Sequence, residues 1–208
     1  FVSWCEKGKI EETALAMCRR QQVRLKEKRQ RGIVYCRSKA QCEAIAKALG
    51  CGHYHAGVVD RAERLEAWLK EGGLIVATSA LGTGVDFPRI VLIVHVGMPW
   101  SMIDFAQESG RGGRAGEVVD SVLVVEQGEV ERRMEQQKGE LDVQAMGLFI
   151  IGSGCRRGLM SGYLDGKSIS CNDIESAGCD RCGEGMREVQ EAQSRASAEW
   201  EDVRAMMD

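Results

Sequence analysis

The residues most suggestive of chemistry are two arginines three positions apart among four glycines, in Gln107-Glu108-Ser109-Gly110-Arg111-Gly112-Gly113-Arg114-Ala115-Gly116. Glycine weakens regular elements, so such a run suits a backbone that must come close to something. A guanidinium is a planar fork of donors that matches phosphate oxygens. An arginine reaching a γ-phosphate neutralises charge in phosphoryl transfer. A second segment, Ala77-Thr78-Ser79-Ala80-Leu81-Gly82-Thr83-Gly84-Val85-Asp86, follows an apolar run. Its glycines can present backbone N–H groups to phosphate, and Asp86 can accept from a ribose hydroxyl. A third, Tyr35-Cys36-Arg37-Ser38, ends another apolar run on a cation and a hydroxyl.

Nine cysteines form a second group of candidates. Cys5, Cys18, Cys36, Cys42 and Cys51 are scattered among apolar residues and read as small core hydrophobes. Cys155, Cys171, Cys179 and Cys182 fall together, with fifteen residues between the first two, seven between the next two, and a final C-x-x-C. Four thiolates suit a closed tetrahedral Zn²⁺ site; free thiols or one disulfide are the alternatives. An odd number of cysteines and no secretory leader point to a reducing compartment, where disulfides are rare.

These groups need a frame. The chain has 208 residues, 44% hydrophobic and 28% charged, enough for one large domain or a domain with an appendage. The net charge is −3, so nucleic-acid binding must come from local patches. No apolar run approaches the roughly 20 residues that span a bilayer. Because it starts at Phe1, the chain is read as a fragment. Residues 11–31 predict a helix whose second half is basic. A strand over 32–36 is followed by a helix over 39–49, ended by Gly50 and Gly52. His53-Tyr54-His55 leads to a helix with Asp60 as N-cap and Glu63 in a capping box, stopped by Gly72-Gly73. Residues 74–77, 90–96 and 121–125 are apolar runs of the kind buried on both faces of a parallel sheet. Strands alternating with helices predict an α/β fold, a parallel sheet with helices on both faces. Ligands in such folds sit beyond the carboxyl ends of the strands. All three loop segments are therefore expected at that rim. The predicted division is a first domain over 1–128, a connecting helix and cysteine module over 129–183, and a helix over 184–208.

In order, these segments resemble the second RecA-like domain of a superfamily 2 helicase. Val34 to Lys39 is similar to that family's fourth motif, Ala77 to Asp86 to its fifth, and Gln107 to Arg114 to its sixth, Q-E-x-G-R-x-G-R. Tyr54-His55-Ala56-Gly57 further resembles the RecQ branch, and the match covers roughly residues 30–125. Gly112 stands where RecQ members usually have Ala, and Ala115 where they usually have Asp. The cysteine group resembles the RecQ zinc-binding subdomain, including its C-R-R start at Cys155-Arg156-Arg157. DEAD-box RNA helicases lack that appendage.

The resemblance implies an ATP-driven DNA helicase moving 3′ to 5′, acting in the nucleus on single-stranded or forked DNA. ATP and Mg²⁺ would be bound mainly by an upstream RecA-like domain, since the sequence has no G-x-x-x-x-G-K-[ST] and no D-E-x-H. Arg111 and Arg114 would supply the arginine finger, and Gln107 would sense the nucleotide. Gly84 and Asp86 would sit near its sugar. Arg37, Ser38 and Thr78 would touch DNA phosphates, and Cys155, Cys171, Cys179 and Cys182 would hold Zn²⁺. A degenerate copy that only binds DNA or protein, and an RNA helicase of another branch, are the competing readings.

Overall fold

A computed structural model describes residues 1–82, 87–114, 116–174 and 178–183 of the chain. Gly84, Asp86, Ala115 and the helix predicted over 184–208 lie outside the described residues. The chain forms two compact units, Phe1–Ile151 and Gly152–Asp208.

The first unit is built on six strands, β1 (Val2–Cys5), β2 (Arg31–Cys36), β3 (Gly52–Tyr54), β4 (Gly73–Ala77), β5 (Ile90–Val96) and β6 (Asp120–Glu126). They form one sheet in the order β1-β6-β5-β2-β4-β3, and every pairing is parallel. Side chains alternate between the two faces of a strand, and both faces are covered. Ile33, Tyr35, Ile75, Ala77 and Ile93 pack with Trp68, Leu81 and Phe87. Trp68 belongs to α3 (Arg61–Glu71). Val34, Cys36, Val76 and Val94 pack on the other side with Ala14, Cys18 and Leu25 of α1 (Ile10–Glu27), and with Cys42, Ile45 and Ala46 of α2 (Lys39–Leu49). This double coverage is why β2, β4 and β5 read as continuous apolar runs.

Local signals set most boundaries. Ser38 Oγ accepts from the Gln41 N–H at 3.1 Å and starts α2, and Gly50 ends it in the left-handed region at φ 62°. α1 stops at Glu27, short of the predicted 31, because Arg29 turns left-handed at φ 49° and Arg31 already pairs in β2. The capping box at Asp60 does not form. Asp60 Oδ1 instead accepts from Arg64 Nε at 2.9 Å, a turn further along α3.

Several elements were not legible. β1 is a short edge strand held by β6, more than a hundred positions away, so nothing local marks it. α4 (Met102–Ser109) starts where Ser101 Oγ accepts from the Asp104 N–H at 2.9 Å. The single connecting helix expected after β6 is two, α5 (Glu129–Gln136) and α6 (Leu141–Ile151). The turn between them is pinned by Gln144 Nε2, which donates to the Met134 and Gln137 carbonyls at 2.9 and 3.0 Å. In the second unit α7 (Arg156–Asp165) opens directly after Cys155. No described helix is long and apolar enough to cross a membrane.

One glycine sets how closely α1 lies on the sheet. A Cβ at Gly32 would stand 2.7 Å from Leu74 Cδ2, 3.1 Å from Leu25 Cδ1 and 3.2 Å from Leu92 Cβ. Gly32→Ala is expected to overpack this layer and lower stability by about 1–3 kcal/mol. A urea titration should show a lower midpoint with an unchanged slope; an unchanged midpoint would mean the layer has slack that these distances do not show.

Candidate functional site

β2 lies between β4 and β5; the chain leaves β2 for α2 on one face of the sheet and leaves β5 for α4 on the other. Parallel sheets open a crevice at such a point. Here Arg37, Thr78, Gly97, Pro99 and Trp100, all just beyond strand ends, line it together with Tyr35, His95 and Glu108. Ser38 lines a shallow groove beside it, again with Arg37 and Trp100. The structure therefore brings Arg37, Ser38 and Thr78 to one rim, as their positions after β2 and β4 predict.

Their side chains are already engaged. Arg37 Nη1 donates to Glu129 Oε1 at 2.8 Å, and its guanidinium lies 4.5 Å from the Trp100 ring centroid. The same Glu129 oxygen accepts from the Met98 N–H at 3.0 Å. Glu129 is buried, so one carboxylate ties α5 to the loop after β5 and to the predicted phosphate contact. Ser38 Oγ is used as the α2 cap, and Thr78 Oγ1 accepts from the Ala80 N–H at 3.5 Å. Neither Glu129 nor Trp100 was a candidate from sequence. Trp100 could have been flagged as an aromatic beside a strand end; Glu129 carries no such signal, because its partner stands 92 positions away.

The glycine-arginine segment starts at this rim, where Glu108 lines the crevice, and then, contrary to expectation, leaves it towards the amino end of β5. α4 starts beyond β5 and runs back along the sheet, and the Gly113 N–H donates to the carbonyl of Ile90, the first residue of β5, at 3.1 Å. Glu108, on the last turn of α4, still meets His95 near the carboxyl end of β5, so the segment passes towards the strand's amino end over residues 109–113. There it meets the residue following the second segment: the Arg111 guanidinium lies 5.9 Å from the Phe87 ring centroid. Arg111 is 6% exposed. Arg114 is exposed, with Nε donating to the Gly110 carbonyl at 3.2 Å, and Gln107 is exposed on the last turn of α4. A Cβ at Gly112 would stand 2.7 Å from Val119 Cγ1, which accounts for glycine at that position.

A buried polar pair joins α4 to β5. His95 Nε2 and Glu108 Oε2 are 3.0 Å apart, the two residues being 3% and 8% exposed. The His95 ring stacks on Tyr35 at 5.2 Å and touches Phe105 at 5.1 Å. Burial pushes the Tyr35 hydroxyl well above its ordinary pKa, the Glu108 carboxylate adds to that, and the Arg111 guanidinium opposes it. His95 interrupts the apolar run of β5, the only sequence sign of this pair.

In the second unit the sulfurs of Cys155, Cys171, Cys179 and Cys182 all lie within 4.8 Å of one another. Cys155 and Cys171 Sγ are 3.6 Å apart. A tetrahedron of ~2.3 Å Zn–S bonds has edges of about 3.8 Å, so the spacing fits that ion. The Cys171 N–H donates to Cys155 Sγ and the Cys179 N–H to Cys171 Sγ, both at 3.3 Å. Burial pushes Cys155 up, but the N–H groups of Gly158 and Cys171 and the adjoining thiols outweigh it and bring it down to about 6. Burial, its hydrogen bonds to Cys155 and Cys179 and their negative charge push Cys182 up to about 12. The group thus keeps a proton that a cation would displace. Arg156 braces the frame, with Nε and Nη2 donating to Asp180 Oδ1 and Oδ2 at 2.5 and 2.7 Å. Asp180 lies inside the C-x-x-C, so this fork holds that loop against α7.

Glu43, His53 and His55 also cluster, but their hydrogen bonding is wrong for a metal. His55 Nδ1 accepts from the Gly57 N–H at 3.1 Å, so a neutral ring carries its proton on Nε2, where it donates to Glu43 Oε1 at 2.9 Å. Both nitrogens are then occupied. The Arg64 guanidinium lies 3.0 Å from His53 Nδ1 and adds a positive charge.

Comparison with known proteins gives three findings. Residues 13–116 match the family described as helicase conserved C-terminal domain. The chain is 32% identical over 170 residues to ATP-dependent DNA helicase Q1 of Pongo abelii and 28% identical over 181 residues to ATP-dependent DNA helicase RecQ of Haemophilus influenzae, covering 74% and 76% of this chain. It spans 26% and 28% of those proteins, about a quarter of their length. Among solved structures, domain 2 of the DEAD-box helicase Mss116p bound to an RNA duplex aligns with a TM-score of 0.54 at 18% identity, over 66% of this chain and 57% of that one, a likeness of fold.

The cysteines divide into two chemical classes that alkylation can read. Burial pushes Cys18, Cys42 and Cys51 up to about 12, 11 and 12, whereas Cys155 lies near 6. Since the thiolate is the nucleophile, iodoacetamide at neutral pH with a chelator present should modify Cys155 before Cys18, Cys42 and Cys51. Peptide mapping by mass spectrometry checks this, and equal labelling of Cys18 and Cys155 would contradict it.

Proposed function

Since the chain belongs to the helicase conserved C-terminal domain family, as a RecQ-like superfamily 2 member, we propose that it is the second RecA-like half of an ATP-dependent 3′–5′ DNA helicase acting in the nucleus. The observation that carries this reading is the approach of Arg111 to Phe87. It brings the sixth segment to Phe87, the residue that follows the fifth segment in the sequence.

In this reading an upstream RecA-like domain supplies the Walker lysine and the Mg²⁺ ligands, and the ATP phosphates lie between the two halves. Arg114, exposed at the end of its glycine run, is the group that reaches the γ-phosphate. Arg111, packed on Phe87, supports the loop and adds its charge to the same site. Gln107 senses the nucleotide, and Gly84 and Asp86 sit near its sugar. Arg37, Ser38 and Thr78 hold phosphates of the DNA strand at the carboxyl rim, without reading bases. The His95–Glu108 pair fixes α4 to β5, so the arginine segment moves with the strand whose far end carries the DNA contacts. Closing and opening of the cleft would then advance the strand. Cys155, Cys171, Cys179 and Cys182 hold one structural Zn²⁺, which closes the cysteine loops around it and takes no part in hydrolysis.

Two measurements test this. The 208-residue chain should bind single-stranded DNA yet release no phosphate from ATP in a malachite-green assay; turnover by the chain alone would sink the half-site reading. When the chain follows its first RecA-like domain, Arg114→Ala should lower kcat by about 10³-fold or more. Separately, atomic absorption should find about one zinc per chain by the four-thiolate count. Cys179→Ser should reduce it, and an unchanged metal content would remove the zinc assignment.

A further inference from the structure

We propose that Trp100 is a stacking platform for a nucleobase of single-stranded DNA. This rests on the DNA-binding reading of the carboxyl rim and names the residue that grips a base there, where Arg37, Ser38 and Thr78 hold phosphates.

Trp100 is 50% exposed, although a tryptophan is usually well buried. The loop presenting it is firmly tied. Met98 is fully buried, and Arg133 Nη1 donates to the Met98 and Pro99 carbonyls at 2.7 and 2.9 Å. The Met98 N–H is taken by Glu129, and the next residue, Ser101, caps α4. The indole is therefore held out by a rigid segment. Two guanidiniums steady it, Arg37 at 4.5 Å and Arg133 at 5.3 Å from the ring centroid, and both place positive charge beside it.

Its position matches its chemistry. Trp100 lines the crevice that holds Thr78 and the groove that holds Ser38, and Arg37 lines both. A strand whose phosphates run along these three residues passes the indole. Sites for single strands combine this pair of features, a cationic track and an aromatic face on which any base can stack. Arg132, exposed in the same groove, extends the track. Three acidic residues line the groove: Glu129 is engaged by Arg37, Glu126 Oε1 accepts from the Gly8 N–H at 2.9 Å, and Glu11 is exposed on the first turn of α1. The site would hold a base without choosing among bases, since every base offers a π face.

The test uses the 208-residue chain and two fluorescein-labelled strands of equal length, oligo(dT) and an abasic sugar-phosphate strand, read by anisotropy. Wild type is expected to bind oligo(dT) about tenfold more tightly than the abasic strand. Trp100→Ala should bind both equally, at about the wild-type affinity for the abasic strand, while Trp100→Phe keeps most of the preference. The wild-type comparison of the two strands needs no variant, and circular dichroism confirms that each variant is folded. If wild type prefers oligo(dT) and Trp100→Ala is unchanged, the stacking lies on another aromatic and the proposal fails alone. Equal wild-type binding of both strands also overturns it and leaves the phosphate track standing. Binding of neither strand removes the DNA reading and this proposal with it.

Discussion

The pairing of β2 between β4 and β5 fixes where every candidate group in the first unit lies. In a parallel sheet all strands end at the same rim, so the residues after β2, β4 and β5 share an edge without any direct bond between them. Arg37, Thr78 and Trp100 follow those three strands and line one crevice. Burial of both faces holds the register. Shifting one strand by a single residue would send its apolar set to the opposite layer.

A second constraint acts along the strands. α4 turns back over the sheet, and the His95–Glu108 pair pins its last turn near the carboxyl end of β5. Removing either partner would strand a polar group where water cannot reach it, which is costly. The arginine segment is therefore set by the length of α4 and its attachment to β5. One end of β5 carries Trp100 and the other end meets the glycine-arginine loop, so a single strand spans the two candidate surfaces. Glu129 performs a similar office at the rim, where α5, the β5 loop and Arg37 converge on one buried carboxylate.

The cysteine module follows different physics. It has a short helix and few buried side chains among its described residues, and what organises it is the convergence of four sulfurs. An amide N–H aimed at Cys155 favours its thiolate, and the Arg156–Asp180 fork holds the C-x-x-C against α7. Small units of this kind gain most of their folding energy from the ion they close around.

What the sequence determined by itself is what depends on near neighbours. Apolar runs identified β2, β4, β5 and β6, Ser38 and Gly50 bounded α2, and the cysteine spacing singled out the four sulfurs that meet. Arg111 and Arg114 stood out because a guanidinium among glycines has no other evident use. Only the tertiary structure decided which candidates share a surface. It kept Glu108 at the rim while leading the glycine-arginine loop towards the amino end of β5, left Asp60 bonded to Arg64 instead of capping a helix, and revealed Glu129 and Trp100 as companions of Arg37. The reason is range. Caps, turns and periodicity act within a few residues, whereas the Arg37–Glu129 bond joins positions 92 apart and β1 pairs with β6 across most of the first unit. Such contacts exist only once the sheet has closed, and no local pattern encodes them.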